Sequence, residues 1–113
     1  MTVDGVARIL DVVRSLREGE VVSYGDIADD AGLPGRSRLV GNVLAGNDDP
    51  ELPWWRVVNS VGRLVPGNEL EQAARLRAEG VSVSGGRVRD ARYGRFSSGG
   101  SRSGGFSSGR SRP

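Results

Sequence analysis

The chain has 113 residues, with 16 basic against 14 acidic side chains and neither cysteine nor histidine. That length holds one domain at most, with a modest core and no need of staples, and the missing residue types exclude disulfides, a thiolate nucleophile, Cys/His zinc sites and a histidine general base. No run is long and apolar enough to cross a membrane, and the start carries no basic segment followed by an apolar stretch, so the expectation is a soluble, cytoplasmic protein.

Every basic residue is arginine, and the charge is unevenly spread. Residues 91–113 carry five arginines and no acid, whereas residues 1–90 carry 11 arginines against 14 acids and are net negative. The basic character therefore belongs to the C-terminal segment. Any case that the body binds nucleic acid has to rest on placed residues rather than on overall charge.

Val3, Val6, Leu10 and Val13 recur at helical spacing, with Ile9 and Leu16 widening the stripe and Gly19 at the stop, which predicts an amphipathic helix packed on the core. Glu20 to Val22 fits a brief strand. Ser23 with Asp26 three residues on is a capped helix start, and the helix runs through Ile27 and Ala28 to Gly32. Leu33-Pro34-Gly35 is a tight turn, after which Leu39, Val40, Val43 and Leu44 predict a second short helix. Two short helices about a small-residue turn make a helix-turn-helix, whose second helix is the one presented to DNA. Arg36, Ser37, Arg38 and Asn42 give that helix donors for phosphates and base edges. The same hairpin also serves as simple packing, and Gly41 with Ala45 admits close approach of either a helix or a DNA strand.

A polar loop, Gly46 to Glu51, delivers the chain to Pro53-Trp54-Trp55-Arg56-Val57-Val58-Asn59, which reads as a turn feeding a short buried strand. Paired tryptophans beside a proline are core filler, an interface patch or a site. Asn59 to Gly62 turns the chain, and Arg63-Leu64-Val65 is expected to return antiparallel as a wing. Pro66-Gly67-Asn68 breaks that strand. Glu69 to Glu79 is a helix with Asn68 as its cap and Leu70, Ala73, Ala74 and Leu76 inward, and Val81 to Val88 is a last hairpin around Gly85-Gly86. From Ala91 the composition falls to Gly, Ser and Arg, with Phe96-Ser97-Ser98-Gly99 repeated as Phe106-Ser107-Ser108-Gly109. The expected organisation is a folded body, residues 1–90, and a disordered basic tail, residues 91–113. Arginines and spaced phenylalanines suit non-specific contact with nucleic acid by counterion release and stacking, or serve a solubilising tail.

The stretches Val21 to Ala28, Pro34 to Asn47, Pro53 to Asn59, Gly62 to Leu64 and Leu76 to Val81 resemble, in order and spacing, the DNA-binding domain of the O6-alkylguanine-DNA alkyltransferases over most of residues 1–90. In that family the site reads Pro-Cys-His-Arg and the cysteine accepts the alkyl group. Here Trp54 stands at the cysteine, so the chain resembles the alkyltransferase-like, non-transferring branch. The resemblance implies a single winged helix-turn-helix domain, mainly α with a small β wing. It implies that Tyr24 crowds the phosphate at the lesion and offers its hydroxyl to the base, that Arg38 fills the gap left by an extruded nucleotide, and that Trp54 and the backbone of Trp54, Val57 and Val58 line the lesion pocket. Asn47 would order the site loop and Arg56 would brace it. Trp55 replaces the family histidine that links the thiol to a glutamate, matched here by Glu79. Residues Leu64 to Asn68 are short and carry Pro66 where the family's binding loop has a donor.

The implied partners are double-stranded DNA containing O6-alkylguanine and proteins of nucleotide excision repair, with no cofactor, metal or membrane. The protein would be a monomer in the bacterial cytoplasm, associated with the nucleoid. Two other functions stay open: a winged-helix regulator or architectural protein without lesion specificity, and an enzyme driven by a carboxylate such as Glu79, although nothing pairs a nucleophile with a base.

Overall fold

A computed structural model describes residues 3–97. In chain order it contains α1 (Val3–Arg14), β1 (Val22–Ser23), α2 (Tyr24–Asp30), α3 (Ser37–Ala45), a 3-10 turn (Trp54–Arg56), β2 (Val57–Val58), α4 (Glu69–Ala78), β3 (Ser82–Ser84) and β4 (Arg87–Asp90). β1 pairs with β2 in parallel, with Val22 opposite Val57 and Ser23 opposite Val58. β3 and β4 form an antiparallel hairpin. This is the expected, mainly helical architecture with a small wing.

Two apolar clusters meet at the β1–β2 pair. Ile9, Val13, Leu16, Ile27, Ala28, Ala31, Val40 and Leu52 gather with Val22 and Val57 on one side. Leu64, Ala73, Leu76, Val81, Val83, Val88 and Ala91 gather with Val21 and Val58 on the other. Val57 and Val58 of β2, and Val22 of β1 with Val21 just before it, thus enter opposite clusters in succession, as the two-residue period requires. A strand buried on both faces is the setting in which parallel pairing is found.

That burial corrects one expectation. Asn59 Oδ1 accepts the N–H groups of Val61 and Arg63 and closes the turn, but Arg63 does not lead a strand back along β2. It bridges to Arg87, while Leu64 N–H donates to the Gly86 carbonyl and Val88 N–H to that of Gly62. β2 is already paired to β1, so residues 62–64 extend the β3–β4 hairpin instead.

Local signals decide the helix starts. Ser23 and Asp26 form the expected reciprocal capping box at α2. Asn68 precedes α4 without a side-chain cap bond; its carbonyl accepts the Gln72 N–H, and Glu69 Oε1 takes the Gly67 N–H. The buried line of α1 is Ile9 and Val13, continued past its end by Leu16, with Val6 and Leu10 at its margin, because the helix faces both α2 and α3. In α4 the expected inward face is wrong at two positions. Leu70 is 90% exposed and Ala74 is exposed, while Gln72, Ala73 and Leu76 point in.

The expected boundary at residue 90 also moves. Ala91 is buried, Phe96 packs against the second cluster and Ala91 bridges to Ser97, so residues 91–97 belong to the folded body. The rest of the expected tail, with Arg102, Phe106, Arg110 and Arg112, lies outside the described residues.

Candidate functional site

Buried Leu52 anchors the chain before Pro53, and the segment then tightens into the 3-10 turn. Trp54 N–H donates to the Leu52 carbonyl at 2.7 Å, Arg56 N–H to that of Pro53 at 3.2 Å, and Val57 N–H to that of Trp54. The tight turn projects two successive indoles in different directions. Their ring centres lie 6.1 Å apart at 86°, an edge-to-face contact that leaves Trp54 half-buried and turns Trp55 inward.

Trp55, Arg56 and Glu79 form one network. Glu79 Oε2 accepts the Trp55 indole N–H at 2.8 Å and Arg56 Nη2 at 2.7 Å. Its Oε1 accepts Arg56 Nε at 3.0 Å and the Gly19 N–H at 3.0 Å. Arg56 Nη1 continues to the Leu16 carbonyl at 2.7 Å, and the Arg75 guanidinium lies over the Trp55 ring at 4.6 Å. Burial pushes the Glu79 carboxyl up, but the bonds from Arg56, Gly19 and Trp55 outweigh it and hold the group below the usual carboxylate range. An indole N–H donates only, so this cluster holds a charge in place and offers no group to take a proton at Trp55.

Gln72 is a further residue supporting the turn, not among those expected from the sequence. Fully buried on α4, it donates from Nε2 to the carbonyls of Trp55 and Val57, each at 3.1 Å, and accepts the Val65 N–H at 2.7 Å. It therefore ties the tryptophan turn to the loop containing Pro66. A polar residue in the inward line of α4 is the signal that would have found it, and the misassigned helix face hid that line. The backbone of the turn is accordingly well occupied: the Trp54 N–H donates to the Leu52 carbonyl, and the Val57 carbonyl accepts from Gln72 Nε2.

On the other side, Tyr24 opens α2 directly after the Ser23–Val58 pair, half-buried, and burial raises the pKa of its phenol. The hydroxyl is therefore protonated and able to donate at neutral pH. A Cβ on Gly41 would lie 4.0 Å from the Tyr24 ring, an ordinary contact, so packing within the protein does not require glycine there. Arg36, Ser37, Arg38 and Asn42 are all exposed on α3 and its entry. That helix has no side-chain cap and no acid in its first turn. Arginines at a helix N-terminus face the positive end of the dipole, an arrangement relieved by an anion such as a DNA phosphate. Among the described residues nothing forms a hydrogen bond or ion pair with the Arg38 guanidinium.

Asn47 Oδ1 accepts the Asp49 N–H at 2.8 Å, and Asp49 Oδ1 accepts the Glu51 N–H at 2.9 Å. Two successive side-chain turns thus shape the loop between α3 and Pro53. No hydrogen bond among the described residues joins the α3 quartet to the Glu79 network; the two halves are held together by the core and the β1–β2 pair. The described residues also place no group of three or more His, Cys, Asp or Glu side chains where a metal ion would be held.

Residues 6–81 match the family model described as the DNA-binding domain of 6-O-methylguanine DNA methyltransferase. The DNA base-flipping protein of Vibrio parahaemolyticus is 42% identical over 83 residues, covering 70% of this chain and 82% of that protein. The DNA base-flipping protein of Escherichia coli is 44% identical over 81 residues, 69% of this chain and 63% of its own length. Among solved structures, Schizosaccharomyces pombe Atl1 in complex with damaged DNA containing O6-carboxymethylguanine superposes with a TM-score of 0.69 at 32% identity, covering 74% of this chain and 83% of that one. The O6-methylguanine methyltransferase of Mycobacterium tuberculosis gives a TM-score of 0.62 at 32% identity, over 70% of this chain and 50% of the enzyme. With residues 6–81 matched to its model, the chain belongs to the 6-O-methylguanine DNA methyltransferase DNA-binding-domain family.

Proposed function

We propose that this protein recognises O6-alkylated guanine in duplex DNA, turns the nucleotide out of the stack, and flags it for nucleotide excision repair without transferring the alkyl group. The observation that carries this is Trp54, the residue after Pro53 on the 3-10 turn, in a chain that contains no cysteine. No nucleophile is available there to accept an alkyl group. An indole face instead gives the alkyl group apolar contact and the purine a stacking surface. The likeness to base-flipping proteins and to Atl1 bound to damaged DNA supports the same function.

Extrusion costs a few kcal/mol, least where pairing is already poor. In this mechanism Tyr24 crowds the phosphate and presents its hydroxyl to the base, and Arg38 enters the vacated stack, for which a planar, always-charged guanidinium is suited. Arg36, Ser37 and Asn42 hold phosphates and base edges. Val57 and Val58 border the pocket, while Asn47, Trp55, Arg56 and Glu79 keep the turn rigid. The protein acts as a monomer on the bacterial chromosome, and excision-repair proteins read the distorted complex.

The test is binding to one duplex carrying O6-methylguanine and to its unmodified twin at a stated salt concentration, followed by mass spectrometry of the protein. Tighter binding to the lesion with no gain in protein mass is expected. Equal binding would replace lesion recognition by a plain winged-helix DNA-binding role, and a mass gain would make the protein a transferase.

A further inference from the structure

The segment from Ala91 to Ser97 is fastened across the body. The N–H groups of Arg92 and Tyr93 both donate to the Gly19 carbonyl, at 3.0 and 3.2 Å, and Val21 N–H donates back to Tyr93 at 3.3 Å. Ala91 N–H closes on the Phe96 carbonyl at 3.1 Å, and the Phe96 ring packs on the second cluster. At Gly94 (φ +91°) a Cβ would meet the Val21 carbonyl oxygen at 2.5 Å, so glycine is required there. From this loop Arg95 reaches Asp26 with both arms of its guanidinium, Nε to Oδ2 at 2.8 Å and Nη2 to Oδ1 at 2.7 Å. Asp26 Oδ2 also accepts the Ser23 N–H at 3.0 Å, and Ser23 Oγ accepts the Asp26 N–H at 3.1 Å. Tyr24 lies inside that closed box.

We propose that residues 91–97 form a strap that fixes Tyr24, and that Arg95 is a positioning residue for base extrusion, acting through Asp26. This rests on the lesion-recognition function above. A tyrosine that pushes against a phosphate is pushed back, so its backbone must be stiff. The seven-residue α2 gains little rigidity from its own length. The bidentate pair locks the carboxylate that closes the capping box. It also neutralises a carboxylate two residues from Tyr24, where a bare negative charge would repel the DNA backbone. Burial pushes the Asp26 carboxyl up, but the bonds from Arg95 and Ser23 outweigh it, so the pair stays ionised at neutral pH. The strap reaches the other half of the site as well, because Gly19, whose carbonyl accepts from Arg92 and Tyr93, donates its own N–H to Glu79 at 3.0 Å.

The experiment uses the full chain and a duplex with O6-methylguanine beside 2-aminopurine, a base analogue that brightens when unstacked, together with the unmodified duplex. Arg95→Ala should lower the brightening at saturating protein roughly two- to fivefold, the range of a partly exposed ion pair, while affinity for the unmodified duplex holds. Arg95→Lys should restore most of the signal. In an Asp26→Asn background, which keeps an acceptor for the Ser23 N–H, Arg95→Ala should add nothing. Thermal unfolding of each variant separates loss of fold from loss of positioning, and Asp26→Asn carries the test should Arg95→Ala be unstable. Undiminished brightening in both Arg95→Ala and Asp26→Asn overturns the strap's role alone. Equal weakening on both duplexes, with a salt slope shallower by about 0.9 in either background, overturns it in favour of direct phosphate contact. A wild-type protein that leaves the reporter dark overturns the lesion function itself, and the strap's role with it.

Discussion

Glu79 shows how one buried charge sets the shape of the tryptophan turn. The Trp55 indole N–H reaches the glutamate at 2.8 Å, a link made by a donor that does not titrate. Its removal has a bounded effect. Trp55→Phe deletes one of several donors to Glu79 and should cost about 1 kcal/mol beyond any packing change. Arg56→Ala is different, because the side chains of the Arg56–Glu79 pair are only 14% and 9% exposed. It strands a buried carboxylate and should cost about 3–5 kcal/mol. Urea unfolding of the two variants checks the contrast, and similar losses would mean that Arg56 is not the principal counter-ion. At the DNA side, Arg38→Ala should reduce both affinity and the brightening of a reporter base at the lesion, and an unchanged signal would remove Arg38 from the stack-filling role.

Among the elements, those governed by adjacent residues were legible and those governed by distant partners were not. The α2 capping box needs only Ser23 and Asp26, and the β3–β4 hairpin only its two glycines, so both follow from local pattern. The partner of β2 depends on a strand 35 residues away, Val22 against Val57, which no local turn signal reports. The α3 quartet could be placed on one helix and its entry from spacing, but its relation to the tryptophan turn comes from the core between them. In α4 the apolar residues Leu70 and Ala74 suggested a face that the packing rejects, since the buried line follows Gln72, Ala73 and Leu76. That register makes a sharp prediction. Leu70→Gln should change stability by no more than about 0.5 kcal/mol, whereas Leu76→Ala should cost about 2–5 kcal/mol. Thermal or urea unfolding decides it, and a large loss at Leu70 would mean that its exposed face is covered in solution.

For the whole molecule, the boundary that composition placed at residue 90 comes later because Gly- and Arg-rich sequence can still be anchored by a few specific contacts, here Ala91, Phe96 and the Arg95–Asp26 pair. Two titrating groups of the folded body have lowered pKa values, Glu79 and Asp26. For each, burial favours the neutral acid but hydrogen bonds to cationic and backbone donors favour the anion more strongly. A carboxyl whose folded pKa lies below its unfolded one contributes stability that is complete above the ordinary carboxylate range, and that is lost as pH falls through the lowered value, because the unfolded chain then binds the proton more readily. With no histidine or cysteine in the chain, no ordinary side-chain titration falls between about pH 5 and 8. Unfolding free energy should therefore be flat across that interval and fall only in acid. Glu79→Gln should already be less stable at pH 7 and should lose less on acidification, since it has removed a carboxyl whose proton is linked to unfolding. Denaturant unfolding at several pH values from neutral into the acid range checks both statements. A variant that loses as much on acidification as the wild type would leave Asp26, through Arg95, as the dominant acid-sensitive contact.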